Sequence, residues 1–356
     1  MKKKLLITYN YILHYRKPLF NLLCDTYDVT VLHSGEKSVL KNDKFKEIIV
    51  PVKKIGPFFL QSKLITEVKN IKYDAIIALF DPRWLSTLLA YYLYNKNAKL
   101  IFWGAWLTKN YFINKTRLYF TKNVDASIFY TYKSKLDFIK LGVNKENLFV
   151  ANNTFDVGGS IKSYKNKIKN RILFVGSLDN RKQNDILIRA FLNIKKNIPN
   201  DIILTIIGDG YEMKKLKRIS DTNLNKRIQF LGRINDIIKL KEYYKESIVS
   251  VSFGQAGLSV LQSLGYGVPF LTKINAISGG EKTNIKHGYN SFFCEDNIDS
   301  LQNQLIYCCN NISEVRKIGE NAYNYYNKYC RIENMSQGFI DSIENTNLSI
   351  IDKSIN

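Results

Sequence analysis

Short, largely apolar runs, each followed by a stretch of helical spacing, recur along this chain, and the pattern restarts once. KLLITYN, DVTVLHS, FKEIIVPV, DAIIALF, KLIFWGA, ASIFYTY and NLFVANN read as strands, with PLFNLLCDTY, STLLAYYLYN and KSKLDFIKLG as helices among them. A strand that is apolar on both faces has to be covered on both, as in a parallel sheet flanked by helices. After NNTFDVGGSIKSYKNKIKN, which is polar and lysine-rich, the rhythm begins again. RILFVGSL, IILTIIGDG, RIQFLGRI, SIVSVSF, PFLTK and SFFCED then alternate with QNDILIRAFLNIKK, MKKLKRIS and DIIKLKEYYKES. Residues 298–330 read as helical throughout, with a helical tail to about 345.

At 356 residues the chain is long enough for two cores. The pattern predicts an α/β protein of two Rossmann-like domains, 1–157 and 170–330, joined by a linker at 158–169. A C-terminal helix and tail follow at 331–356, with the helix able to pack back on the first domain. Ligands of such sheets bind outside the carboxyl ends of the strands, on the βα loops. Two such domains are therefore expected to face each other across a deep interdomain cleft lined by those loops.

The chain is 45% hydrophobic and 24% charged, ordinary for a globular enzyme, but its formal net charge of +22 is not. Residues 1–160 hold 25 Lys and Arg against 12 Asp and Glu, and the remainder 28 against 19. That excess suits a polyanionic neighbour such as nucleic acid, an anionic membrane face or a phosphorylated substrate. A lysine-rich background on solvated surfaces is the plainer explanation. Five scattered cysteines with no CxxC spacing point to reduced thiols and the cytosol, not to a disulfide framework or a zinc site. MKKKLLITYN starts like a signal peptide, but its apolar run is soon interrupted and no small-residue cleavage site follows. No stretch is long and apolar enough to span a bilayer, so membrane association is expected to be peripheral.

Three loops of the second half could carry chemistry. VGSLDNRKQND places Gly176 after a strand and Arg181 and Lys182 just before a helix. Two cations beside a helix amino terminus suit a diphosphate, although a solvated pair at a turn reads the same way. IGDGYE is a fragment of a nucleotide fingerprint and by itself only a tight turn. GQAGLSVLQSLGYGVP carries no charge at all. Gly254, Ala256 and Gly257 permit close approach to the backbone, the Gly257–Ser259 amides are free at a helix start, and Gln262 lies one turn on from Leu258 and Ser259.

FVGSLDNRKQNDILIRAF, LTIIGDGYEMKKL, IQFLGRI and GLSVLQSLGYGVPFLT, in that order and spacing, resemble the family 4 glycosyltransferases, retaining enzymes of the GT-B fold. DASIFYTYKSKLDFIKLGVNKENLFVANNTFDV resembles the end of the amino-terminal domain in their bacterial surface-polysaccharide members. The resemblance implies a nucleotide-diphosphate sugar held by Gly176, Ser177, Arg233, Ile234, Gly257, Leu258, Ser259 and Gln262. It also implies that Arg181 and Lys182 steady the departing diphosphate, which itself takes the acceptor's proton. The sugar nucleotide is a co-substrate, and no metal or other cofactor is expected.

The departures are specific. The family's Glu-x7-Glu pattern falls on Gly254 and Gln262; its Arg after the glycine is Ser177; the His of Trp-Gly-His is Ala105 in WGAW. Glu281 in GGEKTNIKHGYN is a substitute carboxylate near the sugar or a capping Glu. In the first half, His14 (NYILHYRKP) is an acceptor-side or sugar-side contact or a loop histidine without a role. Asp81 (LFDPRWL) is an acceptor base or a helix N-cap. The aromatic, basic segments TKNYFINKTRLYFTKN and KKIGPFF could lie on an anionic membrane bearing a lipid-linked acceptor, or could pack on their own domain. The expectation is a cytoplasmic enzyme, peripheral on the inner face of the membrane. It would move a sugar to a glycan or lipid-linked acceptor. A catalytically silent nucleotide-sugar binder is the alternative, and nucleic-acid binding is disfavoured by dispersed charge and the lack of a motif.

Overall fold

A computed structural model describes residues 1–220 and 227–350, so residues 351–356 of the expected tail lie outside the described residues. The chain divides into two compact units, the first formed by Met1–Asn153 and the chain from Ile332, the second by Thr154–Arg331.

The first unit holds strands β1 (Lys4–Thr8), β2 (Asp28–His33), β3 (Lys46–Ile49), β4 (Lys53–Ile55), β5 (Phe58–Leu60), β6 (Ala75–Leu79), β7 (Lys99–Trp103), β8 (Ala126–Phe129) and β9 (Leu148–Val150). Its helices are α1 (Lys17–Leu23), α2 (Ser62–Val68), α3 (Leu85–Leu93), α4 (Tyr111–Asn123) and α5 (Tyr132–Lys140). Seven strands form a parallel sheet in the order β3-β2-β1-β6-β7-β8-β9, and β4 and β5 make a separate antiparallel hairpin. The two-residue period of a strand sends alternate side chains to opposite faces. Leu5 and Ile7 accordingly join the core with Leu19, Phe20 and Leu23 of α1, whereas Leu6 joins Leu64, Ala90 and Phe120 on the other side.

The second unit holds β10 (Arg171–Val175), β11 (Ile203–Ile207), β12 (Ile228–Phe230), β13 (Ser247–Val251), β14 (Phe270–Lys273) and β15 (Phe292–Cys294). Its helices are α6 (Asn184–Ile194), α7 (Met213–Ser220), α8 (Ile237–Glu246), α9 (Ser259–Gly265), α10 (Ile298–Asn310) and α11 (Ile312–Tyr325). The sheet is parallel with the order β12-β11-β10-β13-β14-β15. Ile172 and Phe174 face α6 and α10, while Leu173 faces Tyr244, Val260 and Tyr326. Helix α12 (Ile332–Glu344) belongs to the first unit, where Met335 and Phe339 pack with Leu5 and Trp103. All five cysteines are buried and free.

Three stretches differ from the sequence reading. Residues 158–169 are part of the second unit, because buried Val157 and Tyr164 dock there and Arg316 donates to the Tyr164 carbonyl at 2.6 Å. The helical run 298–330 is broken at Asn311 and ends in a π-type turn, Tyr326–Cys330, before Arg331 becomes extended. KKIGPFF forms the β4–β5 hairpin, which the small size of its strands had hidden.

Candidate functional site

In a parallel sheet the crevice opens where the strand order reverses, since the loops on either side there run in opposite directions. In the second unit that place is between β10 and β13, and the two loops leaving those strands are residues 176–183 and 252–258. The family resemblance assigns both loops to one donor site, and the strand order sets them side by side. Gly254 donates its N–H to the Lys182 carbonyl at 3.1 Å, which ties one loop to the other. The IGDGYE turn braces the first loop from behind. Gly176 donates to Ile207, Leu178 donates to Asp209, and a β-carbon on Gly208 would stand 1.7 Å from the Gly176 carbonyl oxygen.

The two cations of this loop differ in kind. Arg181 is largely exposed and forms an ion pair with Asp179 at 2.9 Å, to which Ser177 also donates at 2.8 Å. Lys182 is only 8% exposed, and among the described residues no hydrogen bond or ion pair engages its ammonium. It runs between the two loops: β-carbons placed on Gly176 and Gly257 would lie 3.7 Å from its Cε and 4.0 Å from its Nζ. Burial holds Lys182 below the ordinary lysine range, with Asp179 and Glu281 drawing it back up and Arg181 pushing it further down. A buried ammonium without a partner is costly, and an anion delivered to it removes that penalty.

Around Lys182 the amides of Gly257, Leu258 and Ser259 have no partner among the described residues. Glu281, in a short turn over Glu281–Asn284, is buried and accepts from the Gly279 N–H at 3.0 Å and the Ser278 hydroxyl at 3.3 Å. Gln262 is 5% exposed, and its Oε1 accepts from the Tyr244 hydroxyl at 3.3 Å. Arg233 and Ile234 lie in the loop between β12 and α8; Arg233 is exposed and reaches Asn235 at 3.1 Å, and Ile234 packs on the core. Gly254 is enclosed: a β-carbon there would stand 2.3 Å from the Arg181 carbonyl oxygen.

In the first unit the strand order reverses between β1 and β6, and the loops leaving these strands carry His14 and Asp81. His14 is exposed, edge-on to Tyr15 at 5.6 Å. Asp81 is not an N-cap; it pairs with Arg83 at 2.7 Å and accepts the Arg83 N–H. Ala105 is buried in the core and Trp106 is exposed beneath Arg117. Arg16, two residues from His14, is buried among the rings of Tyr15, Trp103 and Tyr130 and donates to Asn153 at 2.7 Å. Nothing in the local sequence marks it as internal, because Trp103 and Tyr130 come from β7 and the loop after β8.

Residues 160–325 match the family model described as Glycosyl transferases group 1. That match lies wholly within the second unit. The chain is 31% identical over 176 residues to an uncharacterized glycosyltransferase of Methanocaldococcus jannaschii, covering 47% of this chain and 43% of that one. It is 29% identical over 227 residues to the UDP-Gal:alpha-D-GlcNAc-diphosphoundecaprenol alpha-1,3-galactosyltransferase of Escherichia coli, covering 61% and 54%. The chain thus spans about half the length of these curated relatives. Among solved structures, Anabaena HepE in complex with UDP and glucose matches with a TM-score of 0.71 at 16% identity over 97% of this chain and 100% of that one. A glycosyltransferase from Rickettsia africae matches with 0.74 at 14% identity over 96% and 98%. These likenesses give the fold as GT-B, as the order of motifs led one to expect. The glycosyl transferase match falls on the unit whose loops hold Lys182.

Proposed function

We propose that the protein transfers a sugar from a nucleoside-diphosphate sugar, held by the second unit, to a glycan or lipid-linked acceptor engaged by the first. The transfer would serve cell-surface polysaccharide assembly and retain configuration at the sugar. The observation that carries this reading is the buried, unpaired Lys182 at the strand-order reversal, bordered by free backbone amides. Fixed donors of this kind stabilise charge that develops on a leaving diphosphate. As the sugar–oxygen bond breaks, its electron pair stays with the diphosphate, which then accepts the acceptor's hydroxyl proton while the new bond forms on the same face. Lys182, with Arg181 at the rim, supplies cationic stabilisation, so this reading calls on no metal, and a chelator is expected to leave the rate unchanged.

A thermal-shift screen against UDP-, GDP-, dTDP- and CMP-sugars tests the donor site. One nucleotide class should raise Tm, since ligand at a hundredfold over Kd stabilises by about 2.7 kcal/mol. Silence towards every class would sink the reading. The second reading, a silent nucleotide-sugar binder, draws on Gly254, where no carboxylate is present. Transfer or donor hydrolysis by the pure protein eliminates it.

A lipid-linked acceptor and a peripheral place on the cytoplasmic face of the membrane are part of the proposal. No helix among the described residues is long and apolar enough to cross a membrane. On α4, Tyr111 and Phe112 are 64% and 78% exposed, with Lys115 4.7 Å from the Tyr111 ring. No Asp or Glu occurs between Asp81 and Asp125. Exposed rings among unopposed lysines suit an anionic interface. Replacing Tyr111 and Phe112 with Ser is expected to weaken binding to phosphatidylglycerol-containing vesicles about tenfold or more. Unchanged flotation with such vesicles would remove the membrane from the proposal.

A further inference from the structure

Gln183 is one of two non-glycine residues with left-handed backbone among the described residues (φ 53°, ψ 44°), the other being Asn345. That conformation crowds the β-carbon against the following carbonyl, so glutamine holds it under strain that glycine would escape. Its side chain lies over Gly254: a β-carbon built there would stand 2.8 Å from Cγ and 2.9 Å from Oε1 of Gln183. A side chain from the loop after β10 thus fills space that belongs to the loop after β13.

Among the described residues, the Oε1 of Gln183 is buried without a hydrogen-bond partner. So are both amide atoms of Asn184, which is only 1% exposed, the Oε1 of Gln255 and the Oγ of Ser259. Buried polar atoms are ordinarily paired. These residues all belong to the two loops at the strand-order reversal or to the first residues of the helices they lead into, and Lys182 stands next in sequence to Gln183. Such a concentration of unmet hydrogen bonds marks a place completed by a polar ligand. The ligand's charge meets Lys182, which leaves the neutral amides for its uncharged part.

We propose that Gln183 selects the donor sugar, its carboxamide standing where a side chain at 254 would stand and bonding a hydroxyl or acetamido group of the sugar. The inference rests on the donor-site reading above. Gln183 is half-buried, and its terminal torsion is soft, so an edge of the amide can turn to the ligand without backbone movement. An amide both donates and accepts, and it discriminates by the direction of a hydroxyl and not by charge.

The test compares wild type, Gln183→Gly and Gln183→Ala in calorimetric titrations with UDP-glucose, UDP-galactose, UDP-N-acetylglucosamine and GDP-mannose, and with UDP and GDP alone. Gln183→Gly is expected to raise the Tm of the unliganded protein by about 2–4 °C. It should weaken the preferred sugar nucleotide about five- to tenfold, narrow the preference among sugars, and leave the bare diphosphate unchanged. Gln183→Ala should lose the same sugar affinity without the gain in Tm, which separates the missing amide from the relieved backbone. Wild-type sugar affinity and preference in the Gly variant overturns the proposal. Equal losses for sugar nucleotide and bare diphosphate also overturn it, since they signify a collapsed loop. Wild type that binds neither kind of ligand overturns the donor site itself, and this inference with it.

Discussion

Lys182→Met is expected to lower kcat about 10²–10³-fold while the protein stays folded, and Arg181→Ala to lower it less. The ordering follows from surroundings. Lys182 is buried and unpaired, so its field acts through a medium of low polarizability on whatever charge forms beside it. Arg181 is exposed, screened by water and already paired with Asp179. A donor removed from such a preorganised site is typically worth two to three powers of ten in rate. Stability should move the other way, because methionine keeps most of the packing and discards an uncompensated charge.

The pH dependence has a definite sign. Burial holds Lys182 below its unfolded value, so between those two values the unfolded chain binds more protons than the native one. Stability of the unliganded protein therefore gains from Lys182 as pH rises through that window, a contribution missing in the Met variant. Transfer falls over the same alkaline range as the ammonium is lost. A kcat profile of Lys182→Met that matches wild type, or a larger loss with Arg181→Ala, would mean that the diphosphate sits elsewhere.

Gly254→Glu, which places a carboxylate where the family resemblance implies one, is expected to be the most damaging substitution in the uncharged loop. Its β-carbon would fall 2.3 Å from the Arg181 carbonyl oxygen, a backbone atom that cannot swing aside as a side-chain end can. Relief requires the loop carrying Arg181 and Lys182 to move, which breaks the bond from the Gly254 N–H to the Lys182 carbonyl. Overpacking of this kind costs about 1–3 kcal/mol, and the displaced bond adds to it. Tm should drop by about 5–10 °C, with donor affinity falling as Lys182 shifts. Gly257→Ala is the matched control: the nearest atom to its β-carbon is Lys182 Nζ at 4.0 Å, so near wild-type stability is expected. A stable, donor-binding Gly254→Glu variant would show that the position is open after all.

Much of the candidate site was legible as segments and little of it as geometry. Arg181 and Lys182 stood out as adjacent cations before a helix, yet nothing in Arg-Lys says which one turns inward. That was decided by the Asp179 carboxylate, which holds Arg181 outside, and by the gap between Gly176 and Gly257 that admits Lys182. Gln183 had no sequence signal, since neither its left-handed backbone nor its place over Gly254 is a property of neighbouring residues. Gln262 was picked out by helical spacing, but the Tyr244 hydroxyl that engages it arrives from α8. Arg16 gave no sign of being buried, because its aromatic cage is assembled from β7 and the loop after β8 as well as from Tyr15.

What the sequence alone determined is the pair of parallel α/β units, because apolar periodicity is a local property that dictates which faces must be covered. It also supplied the chemical inventory: cations on one loop, bare amides on the other, and no carboxylate at 254. Only the tertiary structure decided which of these groups meet. The strand order in the second sheet reverses between β10 and β13, and that reversal sets two loops, some seventy residues apart in the chain, side by side. Pairing order is a long-range outcome of packing, and the partners that leave Lys182 buried and unpaired are fixed by it.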